Sequence, residues 1–512
     1  MSDECLQWQT NPGRNPRTNR KILINGPTFK NLEKECRLAP GTQSRLVKYY
    51  ATLFNVRIFN GLFTDNLIVK FQTEPTRKTR SPKCVIYLSR SLQGDQLGAA
   101  ILREMCACAA KISNDDDIAW QKWAIKADTQ FPGMVRKCYD ASALGECDDC
   151  DKGFVYSVGD GDTGQLGLGP DIFERKKPSL SFSDSDCVQV CAGGLHSVCL
   201  TSHGRVYTFG CNDAGALGRV TEEESVPGMV SISKFIIQVS AGDSHTAALA
   251  SDGTLFAWGS FRDSNGVIGH VRHEPVLLMV QIVKVASGTD HLVCLSIDGR
   301  VYTMGSAEQG QLGRPFQKGT LGLKYILRPE LVSFRDAIID VWTGQYSTFA
   351  KSKSGHVYAW GLNNYNQLGF TDNKSRFTPV KSYSFNRYDI DWKRISGGQH
   401  HVLALSADGR VYSLGRSHYG RLGVGPIEED AQPNLRRVKL PGKCVDISAG
   451  TAASFAVTET GQLYAWGIAS AEIGSNDDVY EPKRVELTSK KCIRVSTGGQ
   501  HALILACAAK NI

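Results

Sequence analysis

Long uncharged apolar runs are missing from this 512-residue chain. None approaches the roughly 18 residues that a membrane helix requires, which excludes a helical membrane protein and leaves no membrane partner to expect. The first ten residues hold neither a basic start nor an apolar stretch, so no secretory signal is expected and the cytosol or nucleus is the implied compartment. There, the sixteen cysteines are expected to be free thiols rather than a disulfide framework. Most sit singly on β-type runs, as in Val198-Cys199-Leu200 and Val293-Cys294-Leu295, where a small thiol packs as an apolar residue. An apolar fraction of 41% with 21% charged residues is that of a globular protein.

The excess of one sign of charge is small as well, 59 Lys and Arg against 51 Asp and Glu. The net +8 is unevenly placed: residues 1–150 carry 22 Lys and Arg against 16 Asp and Glu, or +6, and the remainder only +2. Two basic clusters lie in the first third, Arg14, Arg17, Arg20 and Lys21, then Arg77, Lys78, Arg80 and Lys83. Such clusters suit phosphate backbones or nuclear import, and equally a solvated basic surface.

What the chain has in plenty is repetition. From Gly153 an alternating apolar segment ends in glycine seven times, at Gly159, Gly210, Gly259, Gly305, Gly361, Gly415 and Gly467, spaced 46 to 56 residues apart. A second signal follows each: Gln165-Leu166-Gly167, Ala216-Leu217-Gly218, Val267-Ile268-Gly269, Gln311-Leu312-Gly313, Gln367-Leu368-Gly369, Arg421-Leu422-Gly423 and Glu472-Ile473-Gly474. A small-residue turn and a short apolar strand precede it, as in Ala192-Gly193-Gly194-Leu195-His196. A four-stranded unit of this size cannot bury both faces of its sheet alone, whereas radial stacking of seven does. The expected fold is an all-β seven-bladed propeller. Its phase predicts closure by both ends: the run Ala502-Leu503-Ile504-Leu505 meets Phe154-Val155-Tyr156-Ser157-Val158 in one blade.

Residues that break the repeat are the functional candidates. In the turns, Asp243 stands two places before His245 and Asp290 directly before His291, while His196, His400 and His501 are read at the equivalent histidine position. The stretch Ser260-Phe261-Arg262-Asp263-Ser264-Asn265-Gly266 reads as a projecting hairpin with an Asn-Gly turn. The interval from Gly313 to Gly361 is long and irregular, with Lys318, Lys324 and Arg328 in it.

These stretches, with Gly161 through Gly167, Gly210-Cys211-Asn212-Asp213, Val239 through Leu249, Trp258 through Gly269 and Ser396 through His401, resemble the regulator of chromosome condensation family, exchange factors for the small GTPase Ran. The resemblance implies that Asp290, Asp243 and His400 carry exchange, with Asp290 at the most catalytic place. It implies that Asp162, His196, Arg314 and His501 face the GTPase, with Phe261, Arg262, Asp263, Ser264 and Asn265 as a wedge against it. Two departures stand out. The family's glycine- and arginine-rich loop is reduced around Gln317-Lys318-Gly319, which puts histone contact in doubt, and Phe370 replaces a small polar residue in a turn. No cofactor is implied. Exchange makes no covalent bond.

The first third has a separate logic. Residues 1–44 read as a basic segment and 45–140 as a small α+β domain, with strands at Leu67-Ile68-Val69-Lys70-Phe71 and Val85-Ile86-Tyr87-Leu88-Ser89 and a helical run from Ala99 to Lys111; 141–152 is a linker and 153–512 the propeller. The order resembles a SprT-like (zincin-like) metalloprotease domain of the germ-cell nuclear acidic protein type. A zincin needs two histidines four apart on one helix face with a glutamate between them. Here Arg103 and Ala107 stand in the histidine places, Asp116 falls where a third ligand would lie, and Glu104 alone remains. Cys147 and Cys150 form half of a zinc-ribbon pattern, and with the ligands missing no metal and no proteolysis are expected.

Three readings follow: a chromatin-associated nuclear exchange factor for Ran with a degenerate protease domain; a noncatalytic chromatin adaptor; and a crosslink protease, which the missing ligands exclude. Segment 1–150 is expected to hold no stoichiometric zinc, and metal analysis finding one tightly held ion per chain would overturn that. The same segment is expected to bind nucleic acid weakly and without sequence preference, with affinity falling steeply as salt rises through counterion release. Affinity insensitive to salt in a filter-binding titration would assign the basic clusters another purpose.

Overall fold

The computed structural model describes residues 152–267, 269, 272–315 and 327–508, and the backbone of Leu67–Gln72 and Cys84–Ser89. The chain divides into two compact units, Met1–Cys147 and Asp148–Ile512. In the first unit the two strands expected from the sequence form and pair in parallel, Leu67 opposite Cys84 through Gln72 opposite Ser89. The helical run, the basic clusters and the degenerate ligand set lie outside the described residues, as do Lys318 and Lys324 of the irregular interval.

The second unit is a propeller-type fold of repeated antiparallel sheets. Five sheets have four strands each, and one has seven. The seven-stranded sheet comes from the 19-residue strand Glu174–Ala192, whose first part pairs with Gly153–Asp160 and whose last part pairs with His196–Thr201. It therefore serves two successive units. The expected seam is present: Gly153–Asp160 runs antiparallel to His501–Ala508, Phe154 opposite Ala506 and Gly159 opposite His501. Around the axis the innermost strands touch in order, from Glu174–Ala192 through Ile236–Ala241, Ile282–Ser287, Ile338–Thr343, Trp392–Gly397, Cys444–Ala449 and Lys490–Thr497 back to the first.

Apolar alternation explains why the sheets stack. The second strand of each unit is buried on both faces, as in His291–Ser296 and His401–Ser406, and the cores lie between units. Val155, Leu503 and Leu505 pack with Cys187, Val190, Cys199 and Phe209 of the next unit; Ala247, Leu249 and Leu255 pack with Ile282, Val285, Leu292 and Cys294. The described cysteines are free, and most are buried. Burial pushes the Cys294 thiol up to about 12, so it serves as an apolar filler. Phe370, expected only to disturb a turn, is instead core: it is buried with Leu368 and Phe385, and Arg376 lies 4.3 Å from its ring centre.

The seven strand-ending glycines all have φ between +87° and +128°, where a side chain is strained. Each faces the residue that begins the neighbouring strand: His501, His196, His245, His291, Ser347, His401 and Ala453. Four of these histidines latch one unit to the next. His291 Nε2 lies 2.9 Å from Thr348 Oγ1, which donates to the Gln311 carbonyl at 2.9 Å. His196 with Thr246, His401 with Ser454 and His501 with Ser197 repeat the arrangement, each hydroxyl donating to a carbonyl of the x-Leu-Gly loop. Trp258, Trp360 and Trp466 donate Nε1–H to the same carbonyls. Because the hydroxyl donates onward, the imidazole must be the donor to it and is neutral with its proton on Nε2. A Cβ on Gly313 would come within 2.6 Å of Trp360 Nε1, which is why the loop ends in glycine.

Burial holds these rings neutral. It pushes His196 down to about 4 and His245, His291 and His501 down to about 3, and His400 and His401 are lowered too. On acidification from pH 7 to pH 5 the unfolded chain protonates its histidines near 6.5 while the folded chain does not, so the unfolded state binds more protons and stability falls. Asp160, Asp290, Asp340 and Glu472, raised by burial, act in the opposite sense but are outnumbered. The melting temperature is expected to drop across this window. A level or rising profile in calorimetry would show that the latches do not govern acid stability.

Candidate functional site

The turns that precede the latch residues meet at one end of the ring and are stitched to one another: Gly194 N–H donates to the Gly242 carbonyl, Asp243 to Thr289, Thr289 to Gln345, Gln345 to Gly398 and Gly499 to Gly193. Asp243 is half-buried against Gly194, where a Cβ would sit 2.0 Å from its Oδ1. Asp290 is also half-buried and accepts the Arg262 N–H at 2.8 Å through Oδ1. Its carboxyl is pushed up to about 7, by burial first, and further by the charges of Asp243 and Asp263, while the Arg262 amide and guanidinium oppose the rise.

The hairpin is present. Arg262–Asp263 pairs with Gly266–Val267, and the Asp263 carboxylate caps the turn by accepting the Asn265 N–H at 2.8 Å. Phe261 at its root is not part of a projecting edge: it is 7% exposed and stacks on His245 at 4.4 Å between ring centres, inside the core. Its role is that of an anchor for Arg262, Asp263, Ser264 and Asn265, of which Asp263 is half-buried and the other three exposed. The tip is tied to the neighbouring unit, with Ser264 donating through N–H at 3.0 Å and through its hydroxyl to the Glu308 carboxylate. Beneath it a cavity of about 430 Å³ is lined by Asp263, Asp290, Glu308, Gln311, Tyr346 and Asn364 among others. Burial first, and then the charges of Asp290, Asp243 and Glu308, raise the Tyr346 phenol.

Several expected site residues are placed differently. His196 and His501, read as facing a partner, are 1% and 0% exposed and are latches; their rings sit beneath the turns because the next strand supplies Thr246 and Ser197 to receive them. His400 does not occupy the latch position. That place is His401, opposite Gly415, and His400 is one residue earlier, in the column of Asp290. It remains at the rim, half-buried against Tyr365. Arg314 turns inward: its guanidinium reaches the Thr303 hydroxyl and carbonyl and the Arg328 carbonyl, as Arg219, at the same place two repeats earlier, reaches the carbonyls of Thr208, Glu223 and Val226. Asp162 is exposed, as expected, on the loop after Gly159.

Sequence reasoning missed Glu308, Tyr346 and the pair Arg416 and Arg421. The signal for Arg421 was available, since three of the seven x-Leu-Gly loops hold glutamine in its place. Together the rim offers carboxylates that converge on one arc, cations on another and a rigid protrusion, an arrangement that suits recognition of a protein surface rather than bond-making chemistry. Among the described residues no group of three or more His, Cys, Asp or Glu is placed to hold a metal ion.

Comparison with known proteins agrees with this geometry. Residues 154–504 match the family described as the RCC1-like domain. Regulator of chromosome condensation from Xenopus laevis is 45% identical over 380 residues, covering 69% of this chain and 89% of its own. The Homo sapiens protein of that name is 45% identical over 384 residues, covering 69% and 90%. The chain belongs to the regulator of chromosome condensation family. A more distant member from Saccharomyces cerevisiae, the guanine nucleotide exchange factor SRM1, is 28% identical over 420 residues, covering 68% of this chain and 86% of its own. The crystal structure of Prp20p from Saccharomyces cerevisiae, described with its binding to Gsp1p and histones, superposes with a TM-score of 0.65 at 28% identity, covering 70% of this chain and 92% of that one. Outside the family region, residues 4–37 match the 2-cysteine adaptor domain, a span that contains Cys5, Cys36 and the cluster from Arg14 to Lys21.

Proposed function

We propose that this chain is a guanine-nucleotide exchange factor for the small GTPase Ran, acting in the nucleus on chromatin. The observation that carries the reading is the hairpin Arg262–Val267, clamped at its root by Asp290 and at its tip by Glu308 beside a carboxylate-lined cavity. Family membership and the named activity of the yeast relative support it. The seven-stranded sheet counts as two blades, so the propeller has seven, closed by a blade sewn from both ends of the domain.

A GTPase holds its nucleotide through backbone amides, a lysine and Mg²⁺ around the phosphates. An exchange factor binds the nucleotide-free state more tightly than the loaded one, and by linkage it weakens nucleotide by the same factor. A rigid wedge lowers the ordering cost of docking, because its conformation is set before the partner arrives. Asp243 and Asp290 would engage basic groups freed from the phosphates, with His400 and Asp162 beside them on the rim. The reaction exchanges one bound nucleotide for another without covalent chemistry. The first unit is read as a SprT-like domain that lost its metal ligands and retains a basic surface for chromatin.

The test is release of a fluorescent GDP analogue from Ran by wild type and Asp290→Ala, with Asp408→Ala, a turn residue paired to Ser406, as control. Exchange by Asp290→Ala is expected to fall by about tenfold or more, the loss of one charged contact or clamp. Its melt should be unchanged or higher, because burial already disfavours that carboxylate. Full exchange by the variant would refute the site assignment. No exchange by the wild type would favour the adaptor reading.

A further inference from the structure

Around His400 the rim changes sign. Arg416, which follows Gly415, places its Cζ 4.6 Å from the Tyr365 ring centre, and His400 meets the same ring edge-on at 4.9 Å. Arg421 lies beside them, 3% exposed, with its Cζ 5.5 Å from the Tyr419 ring. The only side-chain hydrogen bond Arg421 makes among the described residues runs from Nε to the His418 carbonyl at 2.9 Å. Among the described residues one carboxylate faces the group, Asp430, which already pairs with His418 and lies 3.4 Å from Arg416 Nε. Apart from that ion pair the buried Arg416 Nε makes no hydrogen bond among the described residues, and neither does His400 Nδ1.

This arrangement replaces one that would be more stable. Gln165, Gln311 and Gln367 stand where Arg421 does, and each Oε1 accepts the amide N–H two residues earlier at 2.9 Å, from Thr163, Gln309 and Tyr365. Arginine has no acceptor. In this blade the residue whose amide would be capped, Tyr419, sits at φ 62°, a conformation that aromatic residues seldom adopt. Burial, and then Arg416, draws the Arg421 guanidinium down to about 10. A desolvated cation without a close counter-ion and a strained tyrosine both oppose folding.

We propose that Arg416 and Arg421, walled by Tyr365 and His400, form an oxyanion subsite that takes an aspartate or glutamate carboxylate of the GTPase docked on this rim. The proposal rests on the exchange-factor reading above. A protein is the occupant rather than a nucleic acid because the neighbouring arc of the same rim carries Asp243, Asp263, Asp290 and Glu308. A phosphate backbone meeting the arginines would be repelled along that arc, whereas a protein surface with both signs satisfies the two at once. Arginine also suits the site chemically, since its planar fork matches a carboxylate.

The decisive variant is Arg421→Gln, which restores the residue found in three other blades. Its melt is expected to equal or exceed that of the wild type. In nucleotide release, KM for the GTPase should rise about tenfold, as for loss of one charge-assisted contact, with kcat within about twofold. The decline of kcat/KM with ionic strength should also become shallower, since an attractive charge has been removed. An unchanged KM overturns the subsite. A melt well below wild type makes Arg421 structural, and Arg416→Gln with an unchanged KM then completes the refutation. Inorganic phosphate that raises the melt of the wild type but not of Arg421→Gln identifies a free-anion site and equally overturns the carboxylate. Wild-type protein without exchange activity refutes the functional reading itself, a result separate from an active wild type matched by its variant.

Discussion

A neutral imidazole that donates to a hydroxyl, which donates in turn to a loop carbonyl, is the contact on which the propeller depends. It joins units across the apolar faces they share, together with the turn-to-turn amide bonds and the tryptophan donors, and an apolar face alone does not fix rotation or register between sheets. The glycine that ends each facing strand has a separate cause: its φ is positive, and a Cβ would come within 2.2 to 2.6 Å of the carbonyl of the opposite turn whether the residue it faces is a histidine, Ser347 or Ala453. Where the hydroxyl is missing the imidazole behaves differently. His245 faces Leu292 rather than serine or threonine, both its ring nitrogens lack partners, and it stacks on Phe261 instead. The hairpin is rooted at that interface, so the same residue type that fixes the ring elsewhere supports the wedge here.

With the ring held this way, the rim can afford unfavourable groups. Asp290 is a carboxylate raised towards neutrality and Arg421 a cation without a close counter-ion, and both occupy places where the repeat would supply something cheaper to bury. Their positions divide the rim by charge. Carboxylates converge on the hairpin and Tyr346, and cations gather around Tyr365 one blade further on. That division gives a docked protein one orientation, because reversing it would bring like charges together.

The period of the fold was legible in the sequence because a glycine ends the same strand of every unit, where the backbone turns to positive φ, and the seam was legible because the final strand lacks a following partner. The two strands of the first unit were legible for the same reason, as short β-branched runs. The site was only half legible. Asp243, Asp290 and the hairpin break the repeat and were found by that break. His196 and His501 were misread because a histidine in a turn looks exposed until the hydroxyl that receives it, Thr246 or Ser197, is seen to come from another unit. Two successive histidines hid the register at His400 and His401. Arg314 was taken for a surface group although Leu217-Gly218-Arg219 repeats its setting, and Arg421 was passed over although glutamine recurs in its column.

The seam imposes an order on the birth of the molecule. Gly153–Asp160 leaves the ribosome first and waits for His501–Ala508, its hydrogen-bonding partner on one side. At about 5–20 residues per second the intervening chain takes on the order of 20 to 70 s to synthesise. During that interval Val155 and Val158, which end fully buried, belong to an unpaired sheet edge. Successive blades can stack on one another as they emerge, but the circle cannot close, so a chain cut short late in synthesis would be an open arc with an unpaired edge rather than a smaller ring.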